Sequence, residues 1–360
     1  MTNKHFYAVI LAGGRGTRFW PRSRTRRAKQ VLEVVGRGSL IQQTVQRIER
    51  LLPRERIWVL TNSHLRDEIA RQLPGVPRRQ ILAEPVQRNT AAPIGLAARI
   101  LNGIDADAVM GVFPADHIIA RPAVWVRFAR AAYRAAAAGR IAILGIQPRW
   151  ADTGYGYLEF PKGQMQPGSL DPIPVVRFRE KPDLETAAHF VEAGHFAWNA
   201  GMFFWRADVL LGALREHLPA TAALLDTLPP FSSKKFAGTL NAVFSQCEGI
   251  SVDYAVLERA QGIVGFAAGD IGWSDVGSWE AVYELLPKDG QQNAVRGDAL
   301  LCNASGNLVD TPGKLAALLG VRDLIVVDTP DALLIAPRGQ AQQVGDLVKA
   351  LEARKRKDLL

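Results

Sequence analysis

ILAGGRGTRFWPRSRTRRAKQVL, residues 10–32, is the stretch on which the fold depends, and we refer to it as the signature segment. It continues an apolar run, FYAVILA, that begins at residue 6 and has the length and β-branched content of a buried strand. The run stops at Gly13-Gly14-Arg15-Gly16, where bare backbone can come close to a ligand. Successive N–H groups in such a turn form a concavity that binds anions.

Positive charge is concentrated beside this turn. Within fifteen residues the chain carries Arg15, Arg18, Arg22, Arg24, Arg26, Arg27 and Lys29. Like charges at this density repel one another unless an anion neutralises them, so we predict a polyphosphate site. Neither common phosphate loop fits, because Phe19 replaces the last glycine of G-x-G-x-x-G and no G-x-x-x-x-G-K-[ST] occurs.

The composition is that of an ordinary globular protein, with 48% hydrophobic and 22% charged residues. No apolar run reaches the length of a membrane span and the N-terminus lacks a signal-peptide pattern, so we expect a cytoplasmic protein with no membrane partner. We predict that Cys247 and Cys302 are reduced packing residues. The net charge of +9 is local, since residues 1–56 hold 13 Lys+Arg against 3 Asp+Glu. This distribution argues against a nucleic-acid partner.

Strands and helices alternate over the first 150 residues. We predict strands at 56–61, 80–83, 108–113 and 140–146, and helices at 39–52 (capped by Ser39), 64–73, 90–101 and 123–138. This order predicts an α/β fold with a Rossmann-like, mostly parallel sheet and helices on both faces. Ligands bind beyond the carboxyl ends of such strands, where residues 13–18, 84–90 and 114–117 fall.

The C-terminal part has a different pattern. Short apolar runs from residue 291 on, separated by Gly, Asn, Asp and Pro, predict a small β appendage. Residues 341–360 form a predicted terminal helix that could pack against the body or against a second subunit. We therefore predict a catalytic domain at 1–288, with halves 1–150 and 151–288, and a β-rich domain with the terminal helix at 289–360.

The signature segment resembles that of the sugar-1-phosphate nucleotidylyltransferases. The resemblance rests on G-G-x-G-T-R-x-W-P-x-S-R followed by K-Q, and the Trp20-Pro21 form is similar to the mannose-1-phosphate guanylyltransferase branch. Family members usually carry proline before the lysine, where this chain has Ala28. The resemblance implies the nucleotide-diphospho-sugar transferase fold and a β-helix-like appendage. It also implies that longer relatives continue into an isomerase domain, so we expect this chain to lack that second activity.

Two further motifs resemble the family's nucleotide site. By residue type alone, E-P-x-x-R-N-T-A at 84–91 is a loop whose Asn89 or Thr90 caps a helix, and the acid of P-A-D-H at 114–117 is a turn former. The resemblance implies a nucleotide site made of Leu11, Ala12, Gly13, Gly14, Arg15, Gly16, Thr17, Arg18, Lys29, Glu84, Arg88, Asn89, Thr90, Ala91, Asp116 and His117.

Beyond residue 150 the motifs resemble a sugar-phosphate pocket. They are T-G-Y-G-Y at 153–157, E-K-P at 180–182, W-N-x-G-M at 198–202 and S-x-D-Y-A-V-x-E at 251–258. By residue type alone the first of these is a hairpin turn, the second an exposed ion pair worth little, and the fourth a short helix capped by Ser251. The resemblance implies a pocket made of Gly154, Tyr155, Gly156, Glu180, Lys181, Asn199, Gly201 and Asp253.

The last motif is W-x-D-V-G-S-W at 273–279. Its tryptophans alone would indicate packing. The resemblance implies that Asp275 joins Asp116 in holding Mg²⁺, or Mn²⁺ or another divalent ion, with Arg15 and Lys29 as the other catalytic residues. Only a fold can bring Asp116 and Asp275 together, because they are far apart in sequence.

Together these motifs imply transfer of GMP from GTP to α-D-mannose 1-phosphate by in-line attack on the α-phosphorus, which yields GDP-mannose and pyrophosphate. The same chemistry with another sugar 1-phosphate, such as glucose 1-phosphate, or another NTP stays open, as does a catalytically silent, nucleotide-sensing relative. A homodimer is also possible.

Overall fold

The structure, a computed structural model, describes residues 4–360. The strands are β1 Phe6–Leu11, β2 Ile57–Asn62, β3 Ile81–Glu84, β4 Val109–Pro114, β5 Ile118–Ile119, β6 Ile141–Ile146, β7 Tyr157–Glu159, β8 Ile173–Pro174, β9 Arg177–Arg179, β10 Phe196–Arg206, β11 Ile263–Ala267, β12 Trp273–Ser274, β13 Ala294–Cys302, β14 Leu308–Leu319, β15 Leu324–Thr329 and β16 Ala332–Pro337. The α-helices are α1 Leu40–Ile48, α2 Arg66–Gln72, α3 Ala91–Ile104, α4 Pro122–Ala137, α5 Leu184–Ala193, α6 Ala207–His217, α7 Pro219–Asp226, α8 Phe236–Phe244, α9 Trp279–Leu285 and α10 Val344–Ala353.

A ten-stranded sheet organises the larger part of the chain. Its main order is β3-β2-β1-β4-β10-β6-β11-β8, with β7 paired to β10 and β9 paired to β7. The pairs β1/β2, β1/β4, β2/β3 and β6/β11 are parallel, whereas β10 runs antiparallel to β4 and β6. The prediction of a mostly parallel α/β sheet is therefore confirmed.

Two separate cores cover the two faces of this sheet, as period-two alternation requires. In β1, Ala8 and Ile10 face one core and Val9 faces the other, and all three are fully buried. Helices α1, α2, α4 and α5 pack into the first core, and α3, α6, α7 and α8 pack into the second. Burial on both sides explains why β1 is apolar throughout rather than alternating with polar residues.

The predicted helix caps had different outcomes. Ser39 caps α1 in a capping box, in which its hydroxyl accepts from the N–H of Gln42 and the Gln42 side chain accepts from the N–H of Ser39. Thr90 occupies the N-cap position of α3, within the predicted choice of Asn89 or Thr90, but its side chain makes no capping hydrogen bond. The Thr90 hydroxyl instead accepts from the N–H of Val252 (2.9 Å), which ties α3 to the 251–258 motif.

The C-terminal residues form a four-stranded sheet in the order β13-β14-β15-β16, with parallel pairing of the first three strands. Its inner side shares a third core with the signature segment and α9, formed around Phe19, Trp279, Leu308 and Ile325. Helix α10 packs into the same core through Val344 and Val348 and so lies against the body of the chain. A homodimer stays a prediction.

The cysteine prediction holds in part. Both cysteines are free, but only Cys247 is a buried packing residue, whereas Cys302 is exposed on β13. Among residues 4–360, no helix is both long enough and apolar enough to cross a bilayer.

Carboxylates of the C-terminal residues neutralise several signature-segment arginines. Arg22 forms a bidentate pair with Asp310 (2.5 and 3.1 Å), Arg24 pairs with Asp331 (3.0 Å), and Arg15 pairs with Glu352 (2.6 Å). These arginines therefore need no external anion, contrary to the prediction from their charge density. The chain supplies their counter-charges itself, from positions about 300 residues away.

Two of these pairs, Arg22–Asp310 and Arg24–Asp331, should differ in their contribution to stability. Asp310 is 2% exposed in its side chain and Asp331 is 49% exposed. We expect Asp310→Ala to lower the free energy of unfolding by about 3 kcal/mol, because it removes both bonds of a bidentate pair whose carboxylate is buried, whereas Arg24 keeps its bonds to the carbonyls of Pro21 and Ser23 when Asp331 is removed. The matched change Asp331→Ala should cost less than about 1 kcal/mol. Urea denaturation of both variants checks this, and equal losses would contradict it.

Candidate active site

The glycine loop after β1 is shaped by side chains that hold its carbonyl groups. Gln30, which is 3% exposed, donates from Nε2 to the carbonyl oxygens of Ala12 (2.7 Å) and Gly14 (3.0 Å). Gln87 donates to the carbonyl of Gly13 (2.6 Å). With its carbonyls fixed by protein donors, the loop is left with its N–H groups free.

Those N–H groups border a cleft of about 370 Å³ at the carboxyl ends of the strands. Within the described chain, no acceptor lies in hydrogen-bond reach of the N–H groups of residues 13–16. Gly16 has φ 63°, and a Cβ there would collide with the Lys29 side chain, so this position requires glycine. The cleft is lined by Leu11, Ala12, Gly13, Gly14, Gly16, Gln30, Leu60, Glu84, Gln87, Asn89, Thr90, Pro93, Ala115 and Asp116.

Lys29 brings the two predicted acidic motifs together. Its side chain is 8% exposed, and its Nζ lies 2.9 Å from Asp116 Oδ2 and donates to the backbone carbonyl of Asp275 (2.7 Å). The segments are also joined by β5 and β12, which pair Ile119 with Trp273. Burial is the largest single influence on the Asp116 carboxyl and would raise its pKa, but the charges of Lys29 and His117 together with the hydrogen bond from Lys29 lower the pKa below its usual value. Asp116 is therefore ionised at neutral pH.

Aromatic side chains orient the groups around the two acids. Trp273 donates from Nε1 to Nδ1 of His117 (3.2 Å), so the proton of the neutral His117 ring lies on Nε2. Burial lowers the pKa of His117, which keeps the ring neutral. Tyr155 donates its hydroxyl to Asp275 Oδ1 (2.9 Å). Burial and then the charge of Asp275 raise the pKa of Tyr155, so it stays a donor.

Glu84 is a buried acid at the base of the cleft. It ends β3 beside Gly13 and is 8% exposed, and no donor in the described chain contacts its side-chain oxygens. Burial raises its pKa to about 8. The carboxyl is therefore available to a ligand that brings its own donors.

The predicted sugar-phosphate residues also converge. Asn199 donates from Nδ2 to Asp253 (3.0 Å), and Glu180 forms an ion pair with Lys181 (3.2 Å) through Oε1. Glu180 Oε2 is buried with no partner among residues 4–360 and lies over Gly156, where any Cβ would collide with it. Burial and then the charge of Asp253 raise the pKa of Glu180 to about 7. The expectation of an exposed ion pair is thus wrong for Glu180, whose side chain is 9% exposed.

Three site motifs contain a non-glycine residue with a left-handed backbone: Asn89 (φ 56°), Lys181 (φ 45°) and Val276 (φ 47°). This conformation is rare for a β-branched residue such as Val276, which follows Asp275 directly. The 251–258 motif is irregular as well, because a π-helix spans Asp253–Leu257 where a regular helix was expected. Ser251 does accept from the N–H of Tyr254 (3.3 Å), as its predicted capping role requires.

Several predicted residues do not line the cleft. Arg15 contacts Glu352, and Arg18 contacts Gln342. Thr17 lies near Gly345 of α10, and Ala91 donates its N–H to the carbonyl of Ile250. Arg88 donates to the carbonyl of Ser245. The N–H of Gly154 donates to Asp152 (2.8 Å) rather than facing a ligand, and Gly201 donates its N–H to Asn199 (2.9 Å) as part of the pocket wall.

The sequence interpretation did not assign Gln30, Leu60, Gln87, Pro93, Ala115 or Glu258. Glu258 accepts from the N–H of Glu180 (2.9 Å) and so positions the sugar half. Gln30 lies next to Lys29 in the quoted K-Q pair, which was the one available signal for it. Ala115 and Glu258 belong to the quoted motifs at 114–117 and 251–258, whereas Leu60, Gln87 and Pro93 became visible only through their contacts.

The residues present suit a divalent ion. Asp116 and Asp275 offer hard oxygen ligands on the two segments that Lys29 joins, and few protein carboxylates suffice for Mg²⁺ when substrate phosphates complete its shell. Elsewhere in residues 4–360, three ligand-type side chains lie close together at His5, Asp105 and Asp107. That group lies just before the N-terminal ends of β1 and β4, whereas the cleft lies at the carboxyl ends of the strands.

Two sequence profiles and several curated relatives match this chain over most of its length. The sequence profile described as "Nucleotidyl transferase" matches residues 7–292, and that of a "MannoseP isomerase/GMP-like beta-helix domain" matches residues 297–351. Mannose-1-phosphate guanylyltransferases from Sinorhizobium fredii and Escherichia coli are 36% and 37% identical to this chain. The alignments cover 96% and 97% of this chain and 67% and 74% of those relatives.

A solved structure is similar over nearly the whole chain. It is described as a "mannose-1-phosphate geranyltransferase" from Thermus thermophilus and superposes with a TM-score of 0.84 at 29% sequence identity. The match covers 97% of this chain and 99% of that one. The similarity includes the C-terminal β residues, so it extends beyond the ten-stranded sheet.

Gln30 should control anion binding by the glycine loop. We expect Gln30→Leu to weaken binding of inorganic triphosphate roughly tenfold, because the released carbonyls would turn toward the anion. Isothermal titration calorimetry measures the change. Gln80→Leu is a matched control, since Gln80 is equally buried and donates to the carbonyl of Glu55 (3.0 Å) outside the cleft. Equal affinities in the two variants would contradict the role of Gln30.

Proposed function

The chain belongs to the nucleotidyl transferase family, within its mannose-1-phosphate guanylyltransferases, and from this we propose that it joins GTP and α-D-mannose 1-phosphate to give GDP-mannose and pyrophosphate. The observation that carries the proposal is the contact of Lys29 with both Asp116 and the Asp275 carbonyl beside a loop of free N–H groups. A cation, two acids and an anion cradle are what a triphosphate reaction requires.

The nucleotide would lie in the cleft with its phosphates on the N–H groups of residues 13–16. Lys29 Nζ is fixed beside the acids, where it would stabilise the charge that develops at the α-phosphorus as pyrophosphate leaves. Arg15 would neutralise the leaving pyrophosphate after exchanging Glu352 for the phosphate chain. Its ion pair is half-exposed and therefore weak, so the exchange costs little.

Glu84 would select the base. Guanine presents an N1–H and a 2-amino group on one edge, and a carboxylate with two free oxygens can accept from both. The pKa of about 8 means that Glu84 is mostly protonated in the free chain at neutral pH. Binding of guanine then requires proton release, so affinity for GTP should rise with pH until that pKa is passed.

The sugar phosphate would lie against the second half of the site. Glu180 Oε2 and the Asn199–Asp253 pair offer acceptors and donors for hexose hydroxyls, and Lys181, whose side chain is 55% exposed, would meet the phosphate. In-line attack would require the phosphate oxygen of the sugar to lie on the far side of the α-phosphorus from the leaving pyrophosphate. Catalysis would then rest on positioning and charge neutralisation.

Mg²⁺ is the ion that we propose for Asp116 and Asp275, with Mn²⁺ or another divalent ion as a substitute. When bound, it would supply Lewis-acid neutralisation of the reacting phosphate oxygens. Tyr155 already orients Asp275 by donating to Oδ1, which leaves Oδ2 for a ligand.

The proposal includes two further predictions. The catalytic domain would end at residue 288, in the loop between α9 and β13, and the protein would lie in the cytoplasm.

A substrate panel tests the function. Pyrophosphate release should be fastest with GTP and mannose 1-phosphate, slower with ITP, which lacks the 2-amino group, and slower with glucose 1-phosphate. It should stop without Mg²⁺. In Glu84→Gln the rise of GTP affinity between about pH 6.5 and pH 8.5 should disappear, because the titrating group is gone. A faster reaction with another substrate pair would replace the proposed one.

Lys29 and Asp275 should act on turnover rather than on folding. We expect Lys29→Met and Asp275→Asn each to lower kcat on the order of a hundredfold, because each removes stabilisation of the transition state. Steady-state kinetics measures this, with circular dichroism to confirm the fold. Lys314→Met, which breaks a pair with Asp328 in the C-terminal sheet, should leave kcat unchanged. Wild-type kcat in either site variant would remove that residue from the mechanism.

A further inference from the structure

Helix α1 contacts the backbone on both sides of Asp116. Thr44 donates its hydroxyl to the carbonyl of Ala115 (3.3 Å), and Arg47 donates from Nη1 to the carbonyl of His117 (3.3 Å). Arg47 also donates from Nη2 to the Thr44 hydroxyl (3.2 Å), so the two side chains form one unit. Residues three apart on a helix face the same way, which is why both reach the same turn.

Arg47 is an unusual residue to find in this position. It is 5% exposed, and among the described residues its Nε has no partner and no carboxylate forms an ion pair with it. Burial lowers its pKa to about 10, so it still carries its charge at neutral pH. Its guanidinium lies over the Trp125 ring (5.3 Å to the centroid), which offsets part of the cost of burial.

A buried charge without an ionic partner is destabilising compared with an apolar residue of similar size. An apolar side chain would fill this space in the first core at lower cost, yet it could not hold the His117 carbonyl. The position of Arg47 is therefore better explained by its contacts with the turn than by packing. The Asp116 side chain itself leaves this turn toward Lys29 and the cleft.

We propose that Thr44 and Arg47 are positioning residues, which set the direction of the Asp116 carboxylate by holding the carbonyl groups on either side of it. This inference rests on the proposed function, in which Asp116 holds the divalent ion. The two contacts hold the peptide unit before Asp116 and the peptide unit after His117, so the turn is restrained on both sides of Asp116 and the carboxylate meets the ion at a lower ordering cost. Neither residue touches substrate or ion.

The experiment compares Thr44→Val, Arg47→Met and Arg47→Lys with Val45→Ala. Val45 is buried in the same helix, and its loss of packing lowers stability without changing a polar contact to the turn. Two properties are measured in the purified full chain. One is the affinity for Mn²⁺ in the presence of the α,β-methylene analogue of GTP, and the other is amide hydrogen exchange of residues 114–118 without metal.

We expect Thr44→Val and Arg47→Met to weaken Mn²⁺ binding roughly tenfold and to speed exchange in the turn, because the carbonyls are released. Arg47→Lys should fall between Arg47→Met and the wild type, since lysine can reach one carbonyl but cannot also hold Thr44. Val45→Ala should bind Mn²⁺ within about twofold of the wild type even where its unfolding midpoint is lower.

Wild-type Mn²⁺ affinity in folded Thr44→Val and Arg47→Met would overturn the inference. If Arg47→Met does not fold, Thr44→Val alone decides, because it keeps the shape of threonine. Failure of the proposed function is a separate result: the wild-type chain would release no pyrophosphate from GTP and mannose 1-phosphate while the variants still lost Mn²⁺ affinity.

Discussion

The site depends on the ammonium group of Lys29, which joins chain segments 246 positions apart. A buried ammonium is stable only when it is paired, and the carboxylate of Asp116 and the carbonyl of Asp275 offset its lost hydration. The same contacts fix the position of both acidic motifs. An incoming polyanion therefore meets a charge that the scaffold has already oriented, which is the condition under which electrostatic stabilisation is most effective.

Features that depend on neighbouring residues could be predicted from the sequence. The strand-glycine turn, the alternating strands and helices and the Ser39 cap follow from local spacing, and the site motifs followed from a resemblance in residue order. Contacts between distant residues could not be predicted. The role of Gln30 depends on which carbonyls the fold brings to it, and the partners of Arg15 and Arg22 come from carboxylates 337 and 288 positions away. Charge density indicated that anions were needed but could not tell an internal carboxylate from a phosphate.

Backbone strain was equally invisible in the sequence, because it arises where packing overrides local preference. Val276 holds a left-handed conformation while its side chain is fully buried in the third core, among Phe19, Trp279 and the C-terminal strands. That burial offsets the strain, which is of order 1–3 kcal/mol for such a residue. The orientation of Asp275, one position earlier, thus depends partly on residues from the C-terminal sheet. The β domain is in this sense a structural part of the site.

The pairing of Arg15 with Glu352 and the packing of α10 on the signature segment have a consequence for biosynthesis. The signature segment is translated more than 300 residues before the helix that packs against it. Until then the arginines of a newly made chain have no internal counter-charge. Any polyanion present during folding therefore competes with Glu352 for Arg15 until α10 has packed.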